Sequence, residues 1–172
     1  PKRKTEYTLV LVRHNSIWVS TFPVFANALI QDALTKRALP YFKGYSDFFS
    51  EVKVGKSRFD FKLICPLNHV YVEVKSVSLV EKGVGRFPDA PTERGVKHVK
   101  ELMELCAKGY RGAVVFVSQR SDTQSITCND DVDSVFGEWL RKAHAKGVEL
   151  YGMNCNVTPT TISLNKAVKV VL

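Results

Sequence analysis

Three charged residues on two neighbouring predicted strands carry the chemistry that this sequence suggests. Asp60 lies in the segment RFDFKLI, and Glu73 and Lys75 lie two positions apart in VYVEVKSV. Side chains alternate along a strand, so Glu73 and Lys75 share one face while the valines share the other. If Cys65 pairs with Val70 in an antiparallel hairpin, Asp60 lies opposite Lys75 and diagonal to Glu73. Two carboxylates and one ammonium then converge on one face of the sheet.

Such a cluster is suited to a divalent cation. Two carboxylates at close range disfavour each other's ionised state, and a divalent cation relieves that repulsion. Mg²⁺ usually combines one or two protein carboxylates with water and substrate phosphate. The cation stabilises charge on a phosphate and lowers the pKa of a bound water, while an ammonium such as that of Lys75 orients the water or the phosphate oxygens. The pattern therefore predicts phosphodiester hydrolysis.

The same residues also fit an ordinary surface salt bridge. Cross-strand pairs of Asp, Glu and Lys are common on the solvated face of an antiparallel sheet and need no ligand. A Glu-x-Lys triplet by itself is also expected by chance in a protein of ordinary composition. From the residues alone, both interpretations stay open.

The rest of the chain predicts the elements that would hold these residues. Runs rich in β-formers at 7–12 and 16–20 predict a hairpin, and 23–38 has the periodicity of a helix. An antiparallel meander of three strands is predicted at 48–54, 58–64 and 70–75. The remaining predicted elements are a helix from about Val96 to Gly109, a buried strand at 112–117, a helix from Asp130 or Asp131 to Gly147, a strand at 148–153 and a terminal hairpin about Asn165. This order predicts an α/β fold with a mixed central sheet flanked by helices.

Composition limits the class of protein and its partners. At 172 residues and 45% hydrophobic content, the chain is long enough for one well-buried domain. The formal net charge of +8 raises the concentration of polyanions near the surface, with nucleic acid the first partner to consider. The four cysteines lie far apart and have no zinc-ligand spacing. They are therefore expected to be reduced thiols, as is typical in the cytosol. Without an apolar run of about 18 residues or a signal segment, we expect a cytoplasmic protein with no membrane partner.

Several longer segments resemble a known family. Asp60 followed about a dozen residues later by Glu73-x-Lys75 resembles the PD-(D/E)xK nuclease core. More closely, SRFDF, VEVKSVSL, FPDAPTERGVKHVKEL and the late D…F…L…A…GVE resemble the sugar fermentation stimulation protein family, SfsA, over nearly the whole chain. The resemblance implies a restriction-endonuclease-like core after an OB-like β-barrel. We expect residues 1–20 to be a residual hairpin of a barrel that is otherwise mostly absent, and 21–172 to be the nuclease-like α/β domain.

The resemblance also implies roles for individual residues. Asp60 and Glu73 would be ligands of Mg²⁺ or Mn²⁺, Lys75 the catalytic lysine and Glu51 an accessory catalytic acid. In the wider superfold the first helix often supplies a further acid, but this chain has Asn27 and Gln31 on the early turns of that helix, so that ligand is missing or replaced.

Basic residues near this cluster are candidate DNA contacts. Lys56 and Arg58 lie at the strand turn that precedes the first acid. Arg94, Lys97 and His98 follow each other at helical spacing, so they share one face of the second predicted helix. Contacts of this kind hold phosphates without reading base sequence. The alternative is the solvated side of an amphipathic helix.

Three functions compete at this point. A Mg²⁺- or Mn²⁺-dependent DNA nuclease follows from the acidic cluster and the surplus of cations. A non-catalytic DNA-binding transcriptional regulator of sugar metabolism genes is what the family's name suggests. A metal-free protein-interaction domain is the third. Whether two copies pair as a homodimer is left open.

Overall fold

A nine-stranded mixed sheet runs through the computed structural model, which describes residues 5–55 and 57–172. A separate hairpin and three helices accompany it. The elements are β1 (Leu11–His14), β2 (Ile17–Ser20), α1 (Val24–Thr35), β3 (Asp47–Val54), β4 (Ser57–Ile64), β5 (Val70–Val77), β6 (Val80–Glu81), β7 (Val84–Phe87), α2 (Glu93–Ala107), β8 (Arg111–Ser118), β9 (Ser125–Cys128), α3 (Asp130–Ala145), β10 (Glu149–Val157) and β11 (Ile162–Val171).

The sheet joins an antiparallel part to a parallel part. Its strand order is β3-β4-β5-β8-β10-β11-β9-β7-β6, with β3, β4 and β5 antiparallel and β5, β8 and β10 parallel. Parallel neighbours need crossover connections, and α2 and α3 lie in those connections. One hydrophobic core lies between the sheet and α1, and a second lies between the sheet and α2 with α3. This architecture confirms the predicted α/β fold with a mixed sheet flanked by helices.

Of the three described helices, α2 has a side-chain cap at its start. α1, α2 and α3 have 12, 15 and 16 residues, and none in the described part of the chain is long and apolar enough to cross a membrane. The Thr92 hydroxyl caps α2 by accepting the Gly95 N–H at 3.0 Å. A Cβ at Gly95 would lie 2.8 Å from Thr92 Cγ2 and 3.2 Å from the Phe136 ring, so glycine lets α2 approach α3 closely. The start of α2 is therefore fixed.

The N-terminal hairpin forms as predicted, over a shorter span. β1 and β2 pair antiparallel, and the turn residues Asn15 and Ser16 both have positive φ, as a tight hairpin turn requires. Ser20 N–H donates to Gln119 O at 3.1 Å and ties the hairpin to the sheet. The division of the chain into two domains at residue 20 stays a prediction.

The predicted register between β4 and β5 is wrong by two residues. Val70 pairs with Leu63 and not with Cys65. The Cys65 N–H instead donates to His69 Nδ1 at 3.3 Å, so both residues lie in the connection between the strands. The expected hairpin turn was too short, because a side chain replaces a backbone partner there.

The predicted terminal hairpin about Asn165 is also wrong. Asn165 lies inside the single long strand β11, where its amide donates to Asn154 Oδ1 at 3.1 Å. The Lys166 N–H donates to the same oxygen at 3.2 Å, beside an irregularity in the β10–β11 register. The true turn lies earlier, where Thr158 N–H donates to Thr161 O at 2.9 Å. The asparagine that suggested a turn therefore marks a bulge.

Three short strands were not predicted. β6 and β7 lie in the glycine-containing stretch after β5, and β9 lies in the polar loop after β8. β9 pairs in parallel with both β7 and β11, so it extends the sheet beyond the C-terminal strand. Neither segment is apolar enough to show strand periodicity by itself.

Candidate active site

Asp60 lies where β4 separates from β5. Ladder pairing between the two strands ends at Phe61 and Val72. Beyond that point Asp60 Oδ2 accepts the Val74 N–H at 2.7 Å, so a carboxylate replaces a backbone partner. Asp60 Oδ1 accepts Asn27 Nδ2 of α1 at 2.6 Å. The Asp60 carboxylate is thus held from two directions, and each oxygen keeps a further acceptor site.

Glu73 is held in a different way, by side chains in a buried environment. Its side chain is 5% exposed, and that of Lys75 is 11% exposed. Lys75 Nζ donates to Glu73 Oε1 at 2.7 Å, and His98 Nδ1 of α2 bonds the same oxygen. Glu73 Oε2 is buried and has no hydrogen-bond partner among the described residues. An unpaired buried oxygen is costly unless a ligand binds it.

The surroundings shift the pKa values of Asp60 and Glu73 in opposite directions. Burial is the largest cause of the raised pKa of Asp60, and the charge of Glu73 raises it further. The hydrogen bonds to Asp60 act in the opposite direction without reversing the shift. Burial alone would raise the pKa of Glu73, but the His98 hydrogen bond and the Lys75 charge hold it below the usual value. An approaching cation therefore meets an ionised Glu73 and favours ionisation of Asp60.

These residues fit a divalent cation that keeps other ligands. The oxygen donors are two carboxylates, one of which has an oxygen without a partner in the described chain. Within residues 5–55 and 57–172, no group of three or more His, Cys, Asp or Glu side chains could hold a metal ion by itself. Mg²⁺ suits such a site, because it is commonly bound through one or two carboxylates plus water and substrate phosphate.

A polar cavity of about 720 Å³ lies on the α2 side of the sheet, next to His98, which bonds Glu73. It is lined by Glu51, Ser57, Arg58, Glu93, Arg94, Lys97 and His98. Neither Asp60 nor Glu73 lines it. None of these described lining residues is Phe, Tyr or Trp, so the cavity suits contacts to a charged backbone better than stacking of bases.

The structure brings most of the predicted site residues together. Arg58, Arg94 and Lys97 all line the cavity, as does Glu51. Glu51 is exposed on the edge strand β3 with a positive φ, and its carboxylate pairs with Arg58 at 3.3 Å. Lys56 lies outside the described residues.

His98 differs from the expectation of a surface phosphate contact. Its side chain is 3% exposed, and its ring bonds Glu73. The buried residues of α2 include Gly95, His98, Val99 and Leu102, a three-to-four residue stripe. Helical spacing from the leucine could therefore have placed His98 on the buried face.

Asn27 is the second contact that sequence reasoning did not foresee. It lies on an early turn of α1, and its side-chain amide donates to Asp60 Oδ1. An amide there orients the carboxylate without adding a third negative charge. The place of Asn27 on the first helix was the one available sign of a role in the site, but the residue type did not indicate that Asp60 is its partner.

The sequence is similar to one family of known proteins. The sequence matches the family model described as "Sugar fermentation stimulation protein RE domain" over residues 24–161. It is 41% identical over 170 residues to a sugar fermentation stimulation protein homolog of Desulforamulus reducens, covering 99% of this chain and 71% of the relative. It is 45% identical over 172 residues to the homolog of Moorella thermoacetica, covering 99% and 74%.

A solved structure is similar over the whole chain. It is the structure of Pyrococcus furiosus SfsA in complex with Ca²⁺, with a TM-score of 0.90 and 25% sequence identity. The match covers 100% of this chain and 75% of that one. The fold inferred from the strand and helix order is therefore a fold already observed experimentally.

Proposed function

This chain belongs to the sugar fermentation stimulation protein family, and we propose that it is a DNA nuclease that uses a divalent cation held by Asp60 and Glu73. One observation carries the proposal: Glu73 Oε2 is buried and has no partner in the described chain. Its charge is also close enough to raise the pKa of the second acid, Asp60. Mg²⁺ and Mn²⁺ both accept oxygen ligands of this kind. The Ca²⁺ complex of the Pyrococcus furiosus protein supports a divalent ion in this fold.

The residues of the chain divide the work of hydrolysis. A bound cation would stabilise charge on the phosphate and lower the pKa of a water. Asn27 orients Asp60, while Lys75 supplies a positive charge that can orient the attacking water or a phosphate oxygen. Glu51, at the cavity, is the proposed accessory acid.

The cavity supplies the proposed contacts to DNA. Arg58, Arg94 and Lys97 line it, and the chain carries a formal net charge of +8. Cations of this kind hold phosphates in register and do not read bases. We therefore expect binding with little sequence preference and with an affinity that falls steeply as salt rises.

Cleavage assays with matched variants test this proposal. The chain is incubated with single-stranded, duplex and branched DNA, with Mn²⁺ and with EDTA. Asp60→Asn should reduce Mn²⁺-dependent cleavage by at least about 100-fold, because one of two cation ligands loses its charge. Asp47→Asn, a change of the same type at an exposed position of β3, should cut like the wild type. Absence of cleavage by the wild type on every DNA, or undiminished cleavage by Asp60→Asn, refutes the proposal.

A DNA-binding regulator without catalysis is the second candidate. The observation in its favour is that neither Asp60 nor Glu73 lines the polar cavity that holds the proposed DNA contacts. This function predicts DNA binding that persists in EDTA and in Asp60→Asn, with no product of cleavage. Either function requires access to DNA, in keeping with the expected cytoplasmic location.

A further inference from the structure

We propose that His98 is a positioning residue that orients Glu73 toward the cation, an inference that rests on the proposed function. His98 lies on α2 and is 3% exposed, with its Nδ1 on Glu73 Oε1. An ionised carboxylate only accepts hydrogen bonds, so the His98 Nδ1 carries a proton and donates it. His98 would therefore act on the cation site through Glu73.

The hydrogen bonds of Glu73 are distributed unequally between its two oxygens. Oε1 accepts from His98 and from Lys75, which lie on different elements, α2 and β5. Oε2 is buried and accepts from no described residue. Two donors on one oxygen fix the plane of the carboxylate, so the other oxygen is presented to a ligand. Partners of this kind commonly orient the groups that bind a metal.

α2 is well placed to hold His98 still. The Thr92 hydroxyl caps its first turn, and Leu102, one turn after His98, is fully buried in the core beneath α2. The His98 ring also packs near the ring of Phe59, with centroids 5.7 Å apart. The same helix carries Arg94 four residues earlier, at the cavity. One helix thus carries both a cation at the proposed DNA path and the side chain that bonds the carboxylate of Glu73.

Titration of Mn²⁺ against the full chain, followed by the electron paramagnetic resonance signal of free Mn²⁺, tests this role. His98→Leu keeps an apolar side chain in the core and removes the donor, and Mn²⁺ affinity should fall about 10- to 100-fold. His98→Asn should recover most of that loss, because its amide nitrogen can donate from near the position of Nδ1. His14→Leu, at an exposed site in β1, is the matched control and should bind like the wild type.

A second control separates orientation from general loosening of the helix. Val99→Ala removes buried methyl groups beside His98 without touching Glu73. It should lower the stability of the metal-free protein in urea and leave Mn²⁺ affinity unchanged. Equal losses of affinity in Val99→Ala and His98→Leu, or no recovery in His98→Asn, would overturn the inference. If His98→Leu does not fold, His98→Asn should bind Mn²⁺ more tightly than His98→Gln, and the reverse order counts against the inference.

The outcomes distinguish this inference from the proposed function. If the wild type binds Mn²⁺, Asp60→Asn does not, and His98→Leu binds like the wild type, then the cation site stands and the role of His98 fails. If the wild type binds no Mn²⁺, the proposed function fails, and the inference fails with it.

Discussion

Two charged clusters on the same sheet differ in whether they are complete. Arg111 Nε and Nη2 donate to the two oxygens of Glu149 at 2.7 and 2.9 Å, and the Tyr151 hydroxyl donates to Glu149 at 2.7 Å. Every oxygen of that carboxylate is used. At the other cluster, Glu73 keeps an oxygen without a partner in the described chain and lies near the like-charged Asp60. The Arg111–Glu149 pair satisfies its own hydrogen bonds and needs no ligand. The unpaired oxygen of Glu73 beside a like charge is instead what a ligand-binding site would show.

The largest expected effect comes from breaking the buried ion pair. Glu73→Gln should lower the free energy of unfolding of the metal-free protein by about 3 kcal/mol, because it leaves the Lys75 ammonium buried without its counter-charge. Urea denaturation measures this. A loss below about 1 kcal/mol would mean that the Lys75 side chain reaches water once Glu73 is neutral.

Neutralising the complete cluster should cost less. Arg111 and Glu149 have side chains 36% and 24% exposed, so Glu149→Gln should destabilise by about 1 kcal/mol. Mn²⁺ affinity and DNA cleavage should stay at the wild-type level. If Glu149→Gln weakens Mn²⁺ binding, the division into a structural cluster and a ligand-binding cluster is wrong.

The salt dependence of DNA binding gives the next contrast. Arg94→Gln should reduce the slope of log affinity against log salt by about 1, since a contact to one phosphate is lost. Arg111→Gln should leave the slope unchanged, because Glu149 already neutralises that guanidinium. Filter binding or fluorescence anisotropy at several salt concentrations measures both. Equal slopes for the two variants would count against the cavity as the DNA contact.

The smallest effect concerns pH. The pKa of Asp60 is raised in the folded chain, so the folded state holds this proton more tightly than the unfolded state does. The contribution of Asp60 to stability is therefore lost as pH rises from the ordinary Asp value of 3.8 through the raised pKa. Without metal, Asp60→Asn should gain in melting temperature relative to the wild type across that range. A relative loss with rising pH would show that the Asp60 carboxylate is stabilised in its ionised form.

Much of the fold could be predicted from sequence, because it depends on local patterns. The three helices and the strands β4, β5 and β8 follow from apolar periodicity and from glycine and proline signals. The register between β4 and β5 did not follow, because strand periodicity does not set the length of the connection, in which the Cys65 N–H donates to the ring of His69. The hairpin predicted about Asn165 was wrong, because the Asn165 amide donates to Asn154 on the neighbouring strand and does not form a turn.

Residue patterns could propose members of the candidate site but not their arrangement. Alternation and the Glu-x-Lys pattern identified Asp60, Glu73 and Lys75. The role of Asn27 and the burial of His98 depend on how α1 and α2 dock on the sheet, which no local pattern encodes. Contacts between distant segments of chain therefore decide how the acids are oriented.

The position of β11 has a consequence for how the protein is made. β11 follows the other described strands in sequence, yet it lies between β10 and β9 and connects β9, β7 and β6 to the rest of the sheet. While the ribosome is still translating the segments before β11, β7 and β9 have no edge of the larger sheet to join. Closure of the sheet must therefore wait until residues 162–171 have left the exit tunnel, and until then exposed strand edges are open to association with other chains.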